Sequence, residues 1–400
     1  MKPAHPARHP LLALGLALGL AAWLALAGPA RAAEPVYIGI DEAFGVKTST
    51  SPKAIERGVR AAMEEINARG GVLGGRPLKL LTTDNQGVSA RGRDNFIEMA
   101  SRPDVVGVLG GKYSPVTVET MPEANRLKVP LISVWGSADP ITDDAPSPSF
   151  VFRLSLKDSW GVEAMMARAR SAYRAQRVCA ILPNTSWGRS GHQVMAARAA
   201  ANGLQVVATR WYNWGEQNFH DPLQACLAAR SQAILLVANE REGAPFLNQL
   251  AQLPPARRVP VVAHWGLTGG VIHELALNAL DKVDMQVIQT FTFINNSRPA
   301  ARRLAAWIQK DAKLAGVRDI PSPVGSAHAY DITHLLAMAV DKAGSTRGDD
   351  VRRALESLPP FDGAVRRYAP AFTPERHDAL GPQDVLFVRV ESDGALVPVK

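Results

Sequence analysis

From residue 36 to about residue 290, short apolar runs alternate with segments of helical periodicity, and few architectures accommodate that alternation. The runs VYIGI, LKLLTT, VVGVLG, VPLISV, RVCAIL, LQVVATR, QAILLVA, VPVVAH and MQVIQT read as strands. Between them lie stretches with helical spacing, including 91–101, 115–127, 157–172 and 190–202. Strands and helices taken in turn argue for α/β structure, with mostly parallel sheets covered by helices. So many strands in one core are less favourable than two lobes with separate cores.

Residues 54–86, AIERGVRAAMEEINARGGVLGGRPLKLLTTDNQ, show the unit in detail. Val59, Ala62, Met63 and Ile66 fall at i, i+3, i+4 and i+7, one apolar face of a helix. Gly70-Gly71 predicts where that helix stops. A β-like run, LKLLTTD, follows and ends on Asp84.

The N-terminus has a different character. Residues 1–10 carry Lys2 and Arg8 and no acid, residues 11–27 are an almost unbroken Leu/Ala/Gly run, and Ala30-Arg31-Ala32 is a small–x–small cleavage pattern. Residues 1–32 therefore read as a secretory signal peptide cut near Ala32, which predicts a periplasmic protein with no stable membrane insertion. No cysteine lies near the cleavage site to carry a lipid. Removing Lys2, Arg8 and Arg31 from 45 basic residues leaves 42 against 37 acidic ones, a formal charge of +5. The basic residues are dispersed, with no arginine-rich arm, so the charge describes a solvated surface and nucleic acid is not an expected partner. Cys179 lies in RVCAIL and Cys226 in PLQACLAAR. An oxidising compartment allows a disulfide between them, and two inert core thiols are the alternative.

Export, this length and the helix–glycine–strand unit together resemble the periplasmic solute-binding proteins of the branched-chain amino acid type, the leucine-binding-protein-like receptors of ABC importers. The resemblance continues through VVGVLGG (105–111), KVPLISVWGSADP (128–140), FVFRLSLKDSWG (150–161) and NTSWGRSG (184–191). It implies a two-lobed type I periplasmic-binding-protein fold with three hinge crossings. Lobe 1 would comprise 33–154 and 294–362, and lobe 2 would comprise 155–293 and 363–400. The first crossing falls near the Pro- and Ser-rich stretch DDAPSPSF. Lobe-one helices are expected around 298–314, 324–343 and 348–358. The implied role is capture of a small-molecule ligand by a monomer and its delivery to an inner-membrane ABC permease. A receptor that reports to a membrane signalling protein is the alternative.

In open α/β sheets, ligands sit at the carboxyl ends of strands, near helix N-termini. That rule selects the loops DEAFG, GGKYSPVT, WGSADP, NTSWGRSG, ANERE and HWGLTGG. The resemblance places Tyr113, Ser114, Gly136 and Ser137 near carboxylate-holding positions and Trp187, before Gly188, at an aromatic position that covers the ligand. Lys112 adds a charge-assisted contact or remains a solvated loop lysine. Ser114 and Ser137 have helix capping as their alternative role. Phe44, Trp135, Asn239, Glu240 and Trp265 complete the candidate set. One departure stands out: Trp265 occupies the place where related receptors carry an acid for the ligand ammonium. Either Glu240 or Glu42 takes over that pairing, or the ligand carries no ammonium, because a buried unpaired ammonium costs several kcal/mol. The aromatic residues favour a small acid with an apolar or aromatic body.

Catalysis finds no support in the sequence. His328, Asp331 and His334 in SAHAYDITH stand at i, i+3 and i+6 and do not converge readily on one metal. TSWGRSGH lacks the order of a nucleophile elbow, and GGVLGG follows a helix instead of joining a strand to one. Neither a metal nor another cofactor is expected.

Overall fold

The computed structural model describes residues 1, 3, 33–276 and 278–399, and residues 35–400 form one unit. The signal peptide expected over residues 1–32 falls almost wholly outside the described residues. Among the described residues, no helix is long and apolar enough to cross a membrane.

The first half of the chain runs β1 (Val36–Glu42), α1 (Ser51–Ala68), β2 (Leu78–Asp84), α2 (Ser89–Ala100), β3 (Val105–Gly110), α3 (Ser114–Leu127), β4 (Leu131–Ser133), α4 (Pro140–Asp143) and β5 (Val151–Arg153). These strands pair in parallel, in the order β2-β1-β3-β4-β5, with Ile38 against Gly107 and Val108 against Leu131. β3 is buried along its whole length, as a central parallel strand covered on both faces must be.

A second sheet follows, built from α5 (Asp158–Tyr173), β6 (Arg177–Pro183), α6 (Ser186–Arg198), β7 (Gln205–Tyr212), α7 (His220–Ala228), β8 (Ala233–Leu236), α8 (Glu240–Gln252), β9 (Val261–Ala263), α9 (Ile272–Leu275) and β10 (Met285–Gln289). The chain then adds α10 (Pro299–Ala312), α11 (Pro323–Ala343) and α12 (Gly348–Leu355), which pack with α1 and β3. A short ribbon, β11 (Phe361–Asp362) and β12 (Arg367–Tyr368), leads to β13 (Leu386–Val390) and β14 (Leu396–Val399). The last two strands join the second sheet antiparallel, giving the order β14-β13-β10-β9-β8-β6-β7. The chain thus passes between the sheets three times, after β5, after β10 and before β13.

Residues 377–379 run beside β5, with Arg153 N–H donating to His377 O (2.8 Å) and Ala379 N–H to Arg153 O (2.9 Å). This segment covers an otherwise open sheet edge. Cys179 of β6 and Cys226 of α7 are joined by a disulfide that closes a separation of 47 residues. A loop of that size contributes about 4 kcal/mol through lost chain entropy in the unfolded state.

The opening helix–turn–strand unit follows its expected plan. α1 buries Ile55, Val59, Ala62, Met63 and Ile66 and ends at Gly70 and Gly71, both with positive φ. It crosses α11 at very close range. A Cβ placed on Gly58 would lie 2.1 Å from the carbonyl oxygen of Ser326, and backbone yields less readily than a side chain. Gly58→Ala should therefore cost about 1–3 kcal/mol, the usual range for overpacking. Urea unfolding checks this, and a midpoint equal to that of the wild type would show that the two helices separate freely.

Candidate functional site

The carboxyl ends of the strands in each sheet carry the loops that meet between the lobes. From the first sheet come Glu42 at the end of β1, residues 111–114 after β3 and residues 134–139 after β4. From the second come residues 184–187 after β6, 237–240 after β8 and 264–270 after β9. Residues 269–271 join the lobes through backbone to residues 48–51, which follow β1. The carbonyl of Gly269 accepts from the amides of Thr50 (2.9 Å) and Ser51 (3.1 Å) at the start of α1, and Val271 N–H donates to Thr48 O (3.0 Å). Helix amides with no partner inside their own helix are thus satisfied by the opposite lobe.

Beside this seam, the Lys112 ammonium donates to Glu240, to Ser49 Oγ (3.3 Å) and to Gly269 O (3.3 Å). The two charged side chains are 0% and 1% exposed. Thr48 Oγ1 adds a further hydrogen bond to Glu240 at 3.1 Å. Lys112 thus has an acceptor for each of its three protons, which a buried ammonium requires. Glu42 lies behind it and accepts from the amides of Ala43 and Lys112, both at 3.0 Å. Burial pushes the Glu42 carboxyl up to about 7, although those amides pull the other way. Both acids named as replacement partners for a ligand ammonium are therefore already engaged within the protein.

The lobe-one loops are held by a small set of polar contacts. Ser114 Oγ accepts from the amides of Ser137 (3.1 Å) and Ala138 (3.2 Å), while Gly136 N–H donates to Gly111 O at 3.0 Å. Ser114 opens α3 but makes no cap to it; it orders the neighbouring loop instead. Its own hydroxyl proton stays available to a further acceptor. The buried Arg153 guanidinium donates to Ser137 O (3.0 Å) and Ala138 O (2.9 Å) and pairs with Asp378 at 2.6 Å. Ser137 O also accepts the amide of Asp158 (2.8 Å), and Asp139 Oδ1 accepts that of Ser159 (2.9 Å), so α5 begins on lobe-one acceptors.

The candidate aromatic residues occupy different depths. Tyr113 meets Trp214 across the cleft with ring centroids 5.1 Å apart. At that mouth a cavity of about 100 Å³ is lined by Val46, Gln86, Tyr113, Trp214, Asn239 and Glu242. Trp187 is buried, its ring 4.9 Å from His264 and its Nε1–H without an acceptor among the described residues. Trp135 and Trp265 are only 2% and 1% exposed; Trp135 packs against Ile55 and Gly325, and Trp265 against Gly161 of α5. Phe44 is half-buried with the Lys53 ammonium 5.3 Å from its ring centre, and Asn239 lies against Gly266. A larger hollow of about 450 Å³ lies between residues 280–285 and 389–391, at the amino end of β10, the wrong end of the sheet for a ligand.

Two polar residues outside the candidate set, His264 and Asp158, complete the interface. His264 Nδ1 accepts from Gly266 N–H (3.2 Å), so its proton sits on Nε2, which lies 3.5 Å from Ser137 Oγ and 3.2 Å from Asp158 Oδ1. Both contacts fall on one nitrogen, so Ser137, His264 and Asp158 do not form a relay in which the acid orients the far side of the base. Asp158 was legible only as an acid in the first turn of a helix, a position that usually reflects the helix dipole.

The SAHAYDITH residues point apart. His328 hydrogen-bonds Val134 O (2.8 Å) and Thr290 (2.9 Å), whereas His334 lies 3.5 Å from Glu65. Asp331 accepts from the amides of Ala364 (2.6 Å) and Val365 (2.9 Å) and from Tyr368 Oη (2.8 Å). Burial pushes Asp331 up to about 7 against those three donors.

Two predictions follow from these charges. Glu42 and Asp331 both have folded values above those of an unfolded carboxyl, so folding takes up protons and stability is lost as pH rises through about 7. Urea midpoints should fall between about pH 6.5 and about pH 8, a window above most of the opposing titration of the buried His328, and a flat profile would show both groups already ionised. Lys112→Met leaves Glu240 buried without its cation, which should weaken the joined lobes by about 3–5 kcal/mol. Small-angle scattering would then show a larger radius of gyration; an unchanged radius would mean that the pair does not hold the lobes together.

The fold agrees with that of known proteins. A model described as periplasmic binding protein matches residues 35–395. A periplasmic binding protein type 1 of Bordetella pertussis Tohama I superposes with a TM-score of 0.81 at 22% identity, covering 92% of this chain and 100% of its own. The branched-chain amino acid substrate-binding protein LivJ of Streptococcus pneumoniae, solved with isoleucine, gives 0.77 at 18% identity, with 92% and 100% covered. A solute-binding protein of an ABC transporter from R. palustris, solved with 4-hydroxybenzoate, gives 0.77 at 15% identity, with 92% and 96% covered. No curated protein matches the chain. With two lobes, three crossings and a family match over nearly all of residues 35–400, the chain belongs to the periplasmic binding protein family and has the type I fold.

Proposed function

We propose that this protein is the ligand-binding component of an ABC importer, exported to the periplasm with loss of residues 1–32. It captures a small carboxylate-bearing solute, amino acid-like or an organic acid with an aromatic or apolar body, and delivers it to a membrane permease. The observation that carries this reading is the seam itself: charged, hydroxyl and aromatic side chains from both sheets converge at the strand ends. A solute held there contacts both lobes and so favours their closed arrangement over an open one. Trp187 Nε1–H and the Ser114 hydroxyl are donors still available to a carboxylate. Relatives of this fold have been solved both with isoleucine and with 4-hydroxybenzoate, which keeps amino acids and aromatic acids together in the proposed class.

A thermal-shift screen of the mature protein tests the reading. The panel holds branched-chain and aromatic amino acids beside aliphatic and aromatic carboxylic acids. A member present at about 100 times its Kd should add about 2.7 kcal/mol of stability. A panel without a single shift would remove the carboxylate-bearing solute from the proposal.

A further inference from the structure

A hollow of about 410 Å³ lies outside the cleft, between the start of α5 and the segment 366–383 that forms the third crossing. That volume is within the range of pockets that hold small molecules. Its lining shares no residue with the cleft loops, and it contains Arg366, Arg367 and Arg376 but no acid. The three guanidinium groups are answered unequally. Arg366 donates to Asp384 at 2.6 Å and to Arg367 O at 3.1 Å. Arg367 meets Asp362 at 2.9 Å, with 60% and 66% of the two side chains exposed, and a pair so open to water holds little. Arg376 donates to the backbone carbonyls of Pro370 (3.0 Å), Ala371 (2.9 Å) and Asp378, none of which brings a full opposite charge. The Asp378 carboxylate is already paired with Arg153, and the neighbouring Glu375 is exposed and outside the lining. Those carbonyl bonds hold the loop 370–378 in place as a rim. Below the rim the hollow is apolar: Ala379 and Leu380 are buried, and the half-buried Trp160 ring closes the side that belongs to α5.

Two rim charges, those of Arg367 and Arg376, thus lack a buried counter-charge, and an anion that answers both carries two negative charges. A phosphate monoester carries about −1.5 to −2 at pH 7, and the planar guanidinium fork suits its oxygens. The indole and the apolar floor suit a flat apolar body attached to that group. We infer that this hollow is a second binding site, for a small organic phosphate monoester, with Arg367 and Arg376 donating to the phosphate and Trp160 covering the body. Its occupant contacts α5 and the third crossing together. The inference stands apart from the proposed capture of a carboxylate-bearing solute, because it uses different residues and a different anion.

The test is calorimetric titration of the mature protein with phenyl phosphate and, in parallel, with inorganic phosphate. The wild type should bind phenyl phosphate at a single site and about 10-fold or more tightly than inorganic phosphate, because only the ester reaches the indole and the apolar floor. Arg367→Ala should weaken phenyl phosphate about 10-fold, the worth of one hydrogen bond to a charged group. That variant should melt as the wild type does, since the ion pair it removes is open to water. Trp160→Ala should weaken phenyl phosphate and leave inorganic phosphate unchanged. A wild type that does not bind phenyl phosphate would overturn the inference. So would binding that either variant leaves unchanged, which would place the anion elsewhere, the cleft included. Inorganic phosphate bound as tightly as the ester would overturn it too, since the apolar wall would then contribute nothing. The panel of amino acids and carboxylic acids for the cleft holds no phosphate ester, so either reading can fail while the other stands.

Discussion

The Lys112–Glu240 pair makes the two lobes interdependent. Each charge is withdrawn from water and meets the other directly. Coulomb attraction offsets their desolvation only while the ions remain in contact with their hydrogen-bonding positions filled. That condition holds only when the loop after β3 and the start of α8 face each other. The backbone seam between residues 48–51 and 269–271 has the same dependence, because the first amides of α1 are satisfied by a carbonyl of the other lobe. Opening the lobes therefore exposes an ion pair and a helix terminus together, and both are then free to be hydrated.

Around that seam, rigidity comes from polar contacts made within the protein itself. Arg153 holds the carbonyls of Ser137 and Ala138 while its charge is met by Asp378, a residue from the segment that covers the edge of β5. Ser114 holds the amides of the same loop from the other side. Asp331 ties α11 to residues 364–368, and His328 ties α11 to Thr290 at the second crossing. A loop fixed at both its donors and its acceptors presents its hydroxyls in one orientation, which selective recognition of a small polar solute requires.

Much of this was legible along the chain, and the exceptions share a cause. Helical spacing in residues 54–66 marks the buried face of α1, and Gly70-Gly71 marks its end. The stretch NTSWGRSG read as a loop before a helix at 190, yet α6 already begins at Ser186, so Trp187 projects from a helical turn. The cysteines left two readings open, and the fold joins them because β6 and α7 lie side by side. Trp135 and Trp265 stand in cleft loops by sequence but are packed into the core, since position in a loop does not dictate the direction of a side chain. Asp158 escaped notice because an acid in the first turn of a helix is ordinary until its surroundings are known.

By itself, the sequence determined the strand–helix alternation, two sheets, the covering helices and the loops where strand ends meet, all of which follow from local periodicity and short-range turn chemistry. The tertiary structure alone decided which charges pair. Lys112 and Glu240 lie 128 residues apart, and their contact exists only because the chain crosses between lobes before building the second sheet. Burial and partnership are properties of that arrangement, so the state of Glu42, the engagement of Glu240 and the meeting of Asp158 with His264 had no signature in the order of residues.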